Sequence, residues 1–565
     1  MKTKKIIYPI FFIVLLFISC TKLNETFTGS TGDVYSLSIE QIVAPAYSNL
    51  YHLWCQGETT NAAVAPSEGG LFPIQELSSD EAMIPTRKTD WYDGGKWQQD
   101  YLLTWTPNHD HIKQLYVELS EGIARANGSL LSLDKLSQTS AVKTYQAELH
   151  FLRCYYSYLM MDIYGQVPYR EYNEIDFLKD PQILDRKSAF DKIVSELKNI
   201  ALPGMADYNK IPYGRPTKDA CKMLLAKLYL NEEVYTGVSG YKDCLTYLND
   251  IISSHHYAIA DDYWKIFAPD NNINNNGNAN SELIFVGVQK EVNNPAVLGN
   301  SGKWDRPFML AFGYNHKWSQ NVPPVGGTNI NGVVAPEDFC IMICAHTDTL
   351  KDMRWRDDRF VGHRNYIYLG FNYGQQYNFT SFDPKAIDST RKLARTRSGK
   401  PLIYTFDCPL LNATENNGVR VLKFYPNTPD LPIEQTSFGE SYSNDYPIFR
   451  IADAYLMRAE CNLRLGTSDG AAPVEDINAI RFKRNKNKDN SMNVTAGDVT
   501  PDFILAERGI ELYQEMHRRQ DLIRFGKFLG PKASKTETSP ASRLLCPIPQ
   551  PQIDIIKNLK QNPGY

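Results

Sequence analysis

The chain has 565 residues, with 60 Lys and Arg against 64 Asp and Glu, and it is 42% hydrophobic and 22% charged. That hydrophobic share can fill a large globular core, and length alone allows about three or four domains. A near-balanced charge without a long basic or acidic block argues against a nucleic-acid surface or a polybasic membrane patch.

The first twenty residues read as an export signal. Met1-Lys2-Thr3-Lys4-Lys5 is positively charged, residues 6–18 are apolar apart from Pro9, and Ser19-Cys20 follows. A run of about 13 residues is too short to span a bilayer core as a helix. The small residue before a cysteine marks a lipoprotein signal, although Phe17 stands where Leu is usual. Cleavage leaves Cys20 as a lipid-bearing N-terminus, so residues 1–19 are leader and the mature chain is anchored to a membrane without crossing it.

Residues 80–97 hold the first candidate site. Asp90-Trp91-Tyr92-Asp93-Gly94-Gly95 puts two aromatics, two acids and two glycines in one loop, with Arg87 before it and Trp97 after it. Flat rings stack on the apolar faces of sugars, and carboxylates and guanidinium take their hydroxyls. Trp91, Tyr92 and Trp97 are therefore candidate platforms, and Asp90, Asp93 and Arg87 candidate hydrogen-bonding groups. Trp105 reads as core. His109 and His111 share a loop, but no adjacent Cys or third His supports a zinc site, so no metal is expected there.

Helices follow. Tyr145, Leu149, Leu152, Tyr156, Leu159 and Ile163 form one stripe, and Phe151, Cys154, Tyr158 and Met161 a second, so residues 142–164 predict a helix buried on two faces. Gly165 ends it and Pro168 prevents a restart. Thr217 is a good N-cap for a helix carrying Ala220, Leu224, Leu225 and Leu228, with residues 241–252 as its antiparallel partner. Further stripes run through 452–463, closed by Gly466, through 474–480 and through 503–513. These pairs are similar to divergent tetratricopeptide repeats, separated by long insertions.

The insertions at 55–111, 262–340 and 350–445 are rich in Asn, Gly, Pro and aromatics, and binding residues concentrate on such loops. Residues 283–286 and 419–424 are short β-like runs inside them. Trp304, Tyr314 and Trp318, with Phe308 and Phe312, make a second aromatic cluster that could extend a platform. Asn272-Ile273-Asn274-Asn275-Asn276-Gly277 with Glu282 has some features of a calcium loop. It begins with Asn and its Glu falls one residue early, so a polar loop is the better reading and structural calcium the alternative. No cofactor is otherwise expected. Arg450, Arg458, Arg518, Arg519 and Arg524 read as partners for Glu460, Glu507, Glu511 and Asp521 between helices. Ten cysteines show no disulfide framework. No G-x-S-x-G, H-E-x-x-H, P-loop or dinucleotide fingerprint is present.

Several segments, taken in order, resemble the SusD/RagB family of outer-membrane nutrient-uptake lipoproteins. They are Ala147-Glu148-Leu149-His150-Phe151-Leu152-Arg153-Cys154-Tyr155-Tyr156 with Asp162-Ile163-Tyr164-Gly165, Gly214-Arg215-Pro216-Thr217, and Tyr446-Pro447-Ile448-Phe449-Arg450 leading to Met457-Arg458-Ala459-Glu460. Glu507-Arg508 with His517-Arg518-Arg519-Gln520-Asp521-Leu522, and the closing Asn562-Pro563-Gly564-Tyr565, complete the set. The resemblance implies a mainly α fold, a superhelix of tetratricopeptide-like helix pairs with a loop-rich, partly β second half packed on it. Residues 20–255 would form the N-terminal helical region and 256–565 the C-terminal region.

The resemblance further implies a non-enzymatic lipoprotein of the outer membrane, facing the exterior, that captures oligosaccharide for a SusC-type TonB-dependent transporter. Stacking residues in such relatives come from the region of Trp91 and from the stretch holding Trp304, Tyr314 and Trp318. Peptide capture on the same scaffold is the main alternative. A lipoprotein glycosidase with two facing carboxylates is a second.

Overall fold

The computed structural model describes residues 37–55, 71–174, 179–268, 270–271, 281–288, 332–358, 368–379, 391–396, 398–424 and 444–565. Cys20, Trp304, Tyr314, Trp318 and the Asn-rich loop 272–277 lie outside them. No helix among the described residues is long and apolar enough to cross a membrane.

The expected helices form, and they dominate. In chain order the principal ones are α1 (Ile39–Cys55), α2 (Lys96–Leu102), α3 (Asp110–Leu133), α4 (Ser140–Tyr164), α5 (Arg186–Glu196), α6 (Lys218–Leu230), α7 (Tyr241–Ser253), α8 (Glu337–His346), α9 (Ile451–Leu465), α10 (Pro473–Arg484), α11 (Pro501–Leu512) and α12 (Arg518–Arg524). The striped helix α4 is buried on both faces, as its two apolar rows require. Thr139 caps its start by accepting from the Val142 amide, and Gly165 ends it with a left-handed φ of 71°. It packs on α3 and α5, and α3 packs in turn on α1. The approach of α3 to α4 needs Gly122, because a Cβ there would lie 2.7–2.9 Å from Tyr156 ring carbons. Tyr156 then donates to the Ala46 carbonyl at 2.6 Å and ties α1 to the pair.

Thr217 does precede α6, but its hydroxyl makes no capping bond. The pair α6 and α7 leads to α9, which packs on α7, α10 and α11. The helices of the two ends of the chain therefore share one core. The strands are short. Leu283–Gly287 pairs antiparallel with Tyr446–Arg450, and Leu369–Asn372 lies between Arg356–Asp357 and Arg420–Leu422. The chain terminus closes the first half: Tyr565 accepts from the Trp105 indole at 2.8 Å, and Asn562 donates to the Tyr164 and Cys546 carbonyls.

The arginines are ion-paired, as their composition suggests; Arg450 and Arg524 take acids expected of them, while Arg458, Arg518 and Arg519 take others. Arg450 binds Glu282, Glu511 and Glu515; Arg458 binds Asp476; Arg518 binds Asp80; Arg519 binds Asp162; Arg524 binds Glu460 and Asp521. Glu511 also accepts from Arg354 and Arg484 at 3.0 and 2.8 Å. Burial opposes its ionisation, but Arg484, Arg450 and Arg354 outweigh that and hold its carboxyl well below the usual range. Glu282, the acid of the calcium-like reading, accepts from Arg450, Arg484 and the Ala260 amide.

Candidate functional site

The candidate loop grows out of a buried strap. Residues 76–87 run through the interior, pinned at several points. Arg518 grips the Asp80 carboxylate with two bonds of 2.7 and 2.8 Å. Glu81 accepts from the Gln514 amide at 2.7 Å, and the Met83 and Val334 backbones bridge. Thr86 exchanges backbone bonds with Leu410 and Ala413. A reciprocal backbone pair, Arg87 with Asp90 at 3.0 Å each way, pinches off the loop.

Beyond that pinch the backbone turns left-handed repeatedly. Lys88, Trp91 and Asp93 have φ of 58°, 63° and 40°, and Gly94 and Gly95 follow at 70° and 83°. The glycines accept this without cost. A bulky non-glycine residue does not, and each costs about 1–2 kcal/mol. The two glycines deliver the chain directly into α2. The buried Gln98 of α2 fastens the loop from below, donating to the Ile84 and Trp91 carbonyls at 3.1 Å.

The loop sorts its candidates by depth. Tyr92 is 58% exposed. Trp91 is half-buried, its ring lying over Gly332, where a Cβ would come within 2.9–3.0 Å of the indole. It meets Trp97 edge-on at 5.9 Å. Asp93 is exposed, and one carboxylate oxygen accepts from the Trp97 indole at 2.7 Å.

Two expectations are corrected. Trp97 is fully buried and belongs to the core, because α2 turns it inward while its N–H stays satisfied by Asp93. Arg87 is also buried: its side chain points down to the Asn417 carbonyl at 3.0 Å and cannot reach a ligand at the rim. Burial, with the Arg420 guanidinium close by, lowers its pKa to about 9. What remains at the surface is Trp91, Tyr92, Asp90 and Asp93.

Behind Trp97 lies a polar cluster that the sequence reading missed. The His111 ring packs against the Trp97 ring at 4.7 Å. Its Nδ1 lies 2.6 Å from Asp100 Oδ2, and His109 Nε2 lies 3.5 Å from Asp100 Oδ1. All three side chains are buried. Burial pushes the Asp100 carboxyl up to about 7, against the pull of His109 and Lys96. Asp100 sits three residues after Trp97, on the same face of a helix, so the register could have revealed it.

Comparison with known proteins identifies the scaffold. Residues 407–565 match the SusD family, and residues 58–230 match a family described as starch-binding and associating with the outer membrane. The starch-binding protein SusD of Bacteroides thetaiotaomicron is 27% identical over 529 residues, covering 87% of this chain and 85% of that protein. SusD-family models match the chain in both halves, and the resemblance to SusD runs along most of it. Solved structures of the family share the fold. A laminarin-binding SusD-like protein superposes with a TM-score of 0.65 at 20% identity, covering 93% of this chain and 99% of that one. Surface glycan-binding protein A from Bacteroides thetaiotaomicron, solved with laminarihexaose, gives 0.62 at 18% identity, covering 93% and 98%. The SusD fold thus accounts for both ends of the chain, and the helical scaffold with its loop-rich second half is that of the family.

Proposed function

We propose that the protein is a glycan-binding lipoprotein of the outer membrane, anchored through Cys20 and facing the exterior, which captures oligosaccharide and passes it to a SusC-type TonB-dependent transporter. It acts as a binding protein and not as an enzyme. The observation that carries the reading is the Trp91–Tyr92 rim. A half-buried Trp91 on left-handed backbone and an exposed Tyr92 beside it are carried above a buried strap, in a SusD-like chain. Strain of this kind persists where the surroundings over-determine it, and it gathers at ligand sites. An exposed Tyr92 beside a half-buried Trp91 makes a shelf for a sugar ring, and Asp90 and Asp93 stand at its edge. The shelf suits a glycan better than it suits peptide, which a closed groove would serve.

Affinity per site is modest on so open a surface, and the lipid tether supplies local concentration. The test is a binding screen of the purified protein against α- and β-glucans and other polysaccharides. Trp91→Ala should lower affinity for the bound glycan by about 1–3 kcal/mol. Unchanged affinity in the folded variant would remove the shelf from the binding site. Shortened glycans released by the protein would instead favour a glycosidase.

A further inference from the structure

We infer that Asp100, His109 and His111 form a binding site for a divalent transition metal of the zinc type, set directly behind the candidate glycan loop. One ligand atom from each residue falls within 4.8 Å of the others, and all three are buried. Two imidazoles and one carboxylate form a donor set that such ions favour over calcium or magnesium.

One of the spacings is that of ligands around a shared ion, while His111 Nδ1 and Asp100 Oδ2 share a hydrogen bond of 2.6 Å. Ligand atoms about 2.0–2.1 Å from a tetrahedral zinc lie about 3.3 Å apart. The gap of 3.5 Å between Asp100 Oδ1 and His109 Nε2 fits that figure and is too long for a good hydrogen bond. Asp100 Oδ1, fully buried, has no hydrogen-bond partner, a cost that a folded protein rarely leaves uncompensated. The Lys96 carbonyl oxygen lies 3.2 Å from the same His109 nitrogen and is placed to supply a fourth donor.

The three residues are carried by two helices. Asp100 stands on α2, His109 is the N-cap of α3 and His111 is the second residue of that helix. On binding, the ion takes the place of the Nε2 proton of His109 and of the proton shared between Asp100 and His111, and these protons leave to the buffer. The ion would then join the start of α3 to α2, whose Trp97 supports Trp91 from behind.

The test uses the full chain, purified in detergent and stripped with chelator. Titration with Zn²⁺ should show a single tight equivalent, and Co²⁺ should give the visible absorption of a low-coordinate N/O site. His109→Ala and Asp100→Asn should weaken that equivalent by more than the roughly 10–100-fold that loss of an outer-shell partner costs. His255→Ala, at an exposed histidine outside the cluster, should leave it unchanged. X-ray absorption of the zinc-loaded parent needs no variant, and it should count two imidazoles with oxygen completing the shell. The proposal is overturned if the parent binds no Zn²⁺ tightly, if its shell lacks two imidazoles, or if a folded His109→Ala binds as the parent does. Any of these results would leave Asp100 as a metal-free hydrogen-bond partner of His111 alone.

Discussion

The strap at 76–87 and the loop that follows it are continuous chain, yet they obey opposite rules. Around helices α10 to α12, beneath the strap, buried carboxylates are answered many times over. Glu507 accepts from Arg354, Arg481 and His346, and Glu511 from Arg354, Arg450 and Arg484. In residues 88–95, three non-glycine residues sit in left-handed backbone, Tyr92 faces outward and Trp91 is half-buried. The contrast places fold stability and binding readiness in different parts of the molecule. An over-determined interior lets a short loop hold a shape that it would not choose alone.

The largest effect should come from breaking the interior. Glu511→Ala leaves three guanidiniums short of a partner in a fully buried region. Removing one member of a buried ion pair costs about 3–5 kcal/mol. Urea denaturation should show this as a lowered midpoint with an unchanged slope. A variant as stable as its parent would mean that the network is redundant, and the interior would no longer differ in kind from the loop.

Next in size is a pH effect from the same interior. His517 is buried, and its Nδ1 faces the Lys227 ammonium at 3.1 Å. Burial first, and then Lys227, lower its pKa from 6.5 to about 3. A histidine held neutral by the fold contributes stability that is complete above its unfolded pKa. That stability is lost as pH falls from 6.5 towards 3, because the unfolded chain takes up the proton first. The slope approaches about 1.4 kcal/mol per pH unit, or about 2 kcal/mol by pH 5. His517→Gln should flatten this part of the stability profile. A parent profile already flat between pH 6.5 and 5 would refute the assignment.

How much of this was legible in the sequence follows from the range of each interaction. Helices α4, α6, α7, α9, α10 and α11 were readable, because their apolar stripes repeat within a few residues and glycines stop two of them. The loop was readable as a site because its aromatics, acids and glycines are neighbours in sequence. The depth of each residue was not. Arg87 and Trp97 have the right chemistry for a rim, but their direction is set by Asn417 and by the register of α2. The seat of Trp91 is Gly332, 241 positions away and invisible to local pattern. The partners of Arg458, Arg518 and Arg519 fail for the same reason: composition shows that arginines will pair, while only the packing of distant elements decides with which acid. The Asp100 cluster was not legible as a metal motif because its third member is an acid on the preceding helix, outside the Cys and His spacings that mark a zinc site in sequence.

The smallest predicted effect sharpens the comparison most, because it separates the ring of Trp91 from its backbone. Trp91→Ala and Trp91→Gly both remove the indole from Gly332 and Trp97, so both lose the same packing and the same platform. They differ only in what the left-handed φ of 63° demands. In ordinary helical or extended backbone, glycine is the less stable choice by about 0.5–1 kcal/mol. At a left-handed position alanine carries a penalty of about 1–2 kcal/mol that glycine does not. The order should therefore reverse, with Trp91→Gly melting above Trp91→Ala while glycan affinity falls equally in both. Thermal melts of the two variants side by side check this. If alanine proves the more stable, the backbone there is not strained, and the loop's shape would need another source than the rigid strap beneath it.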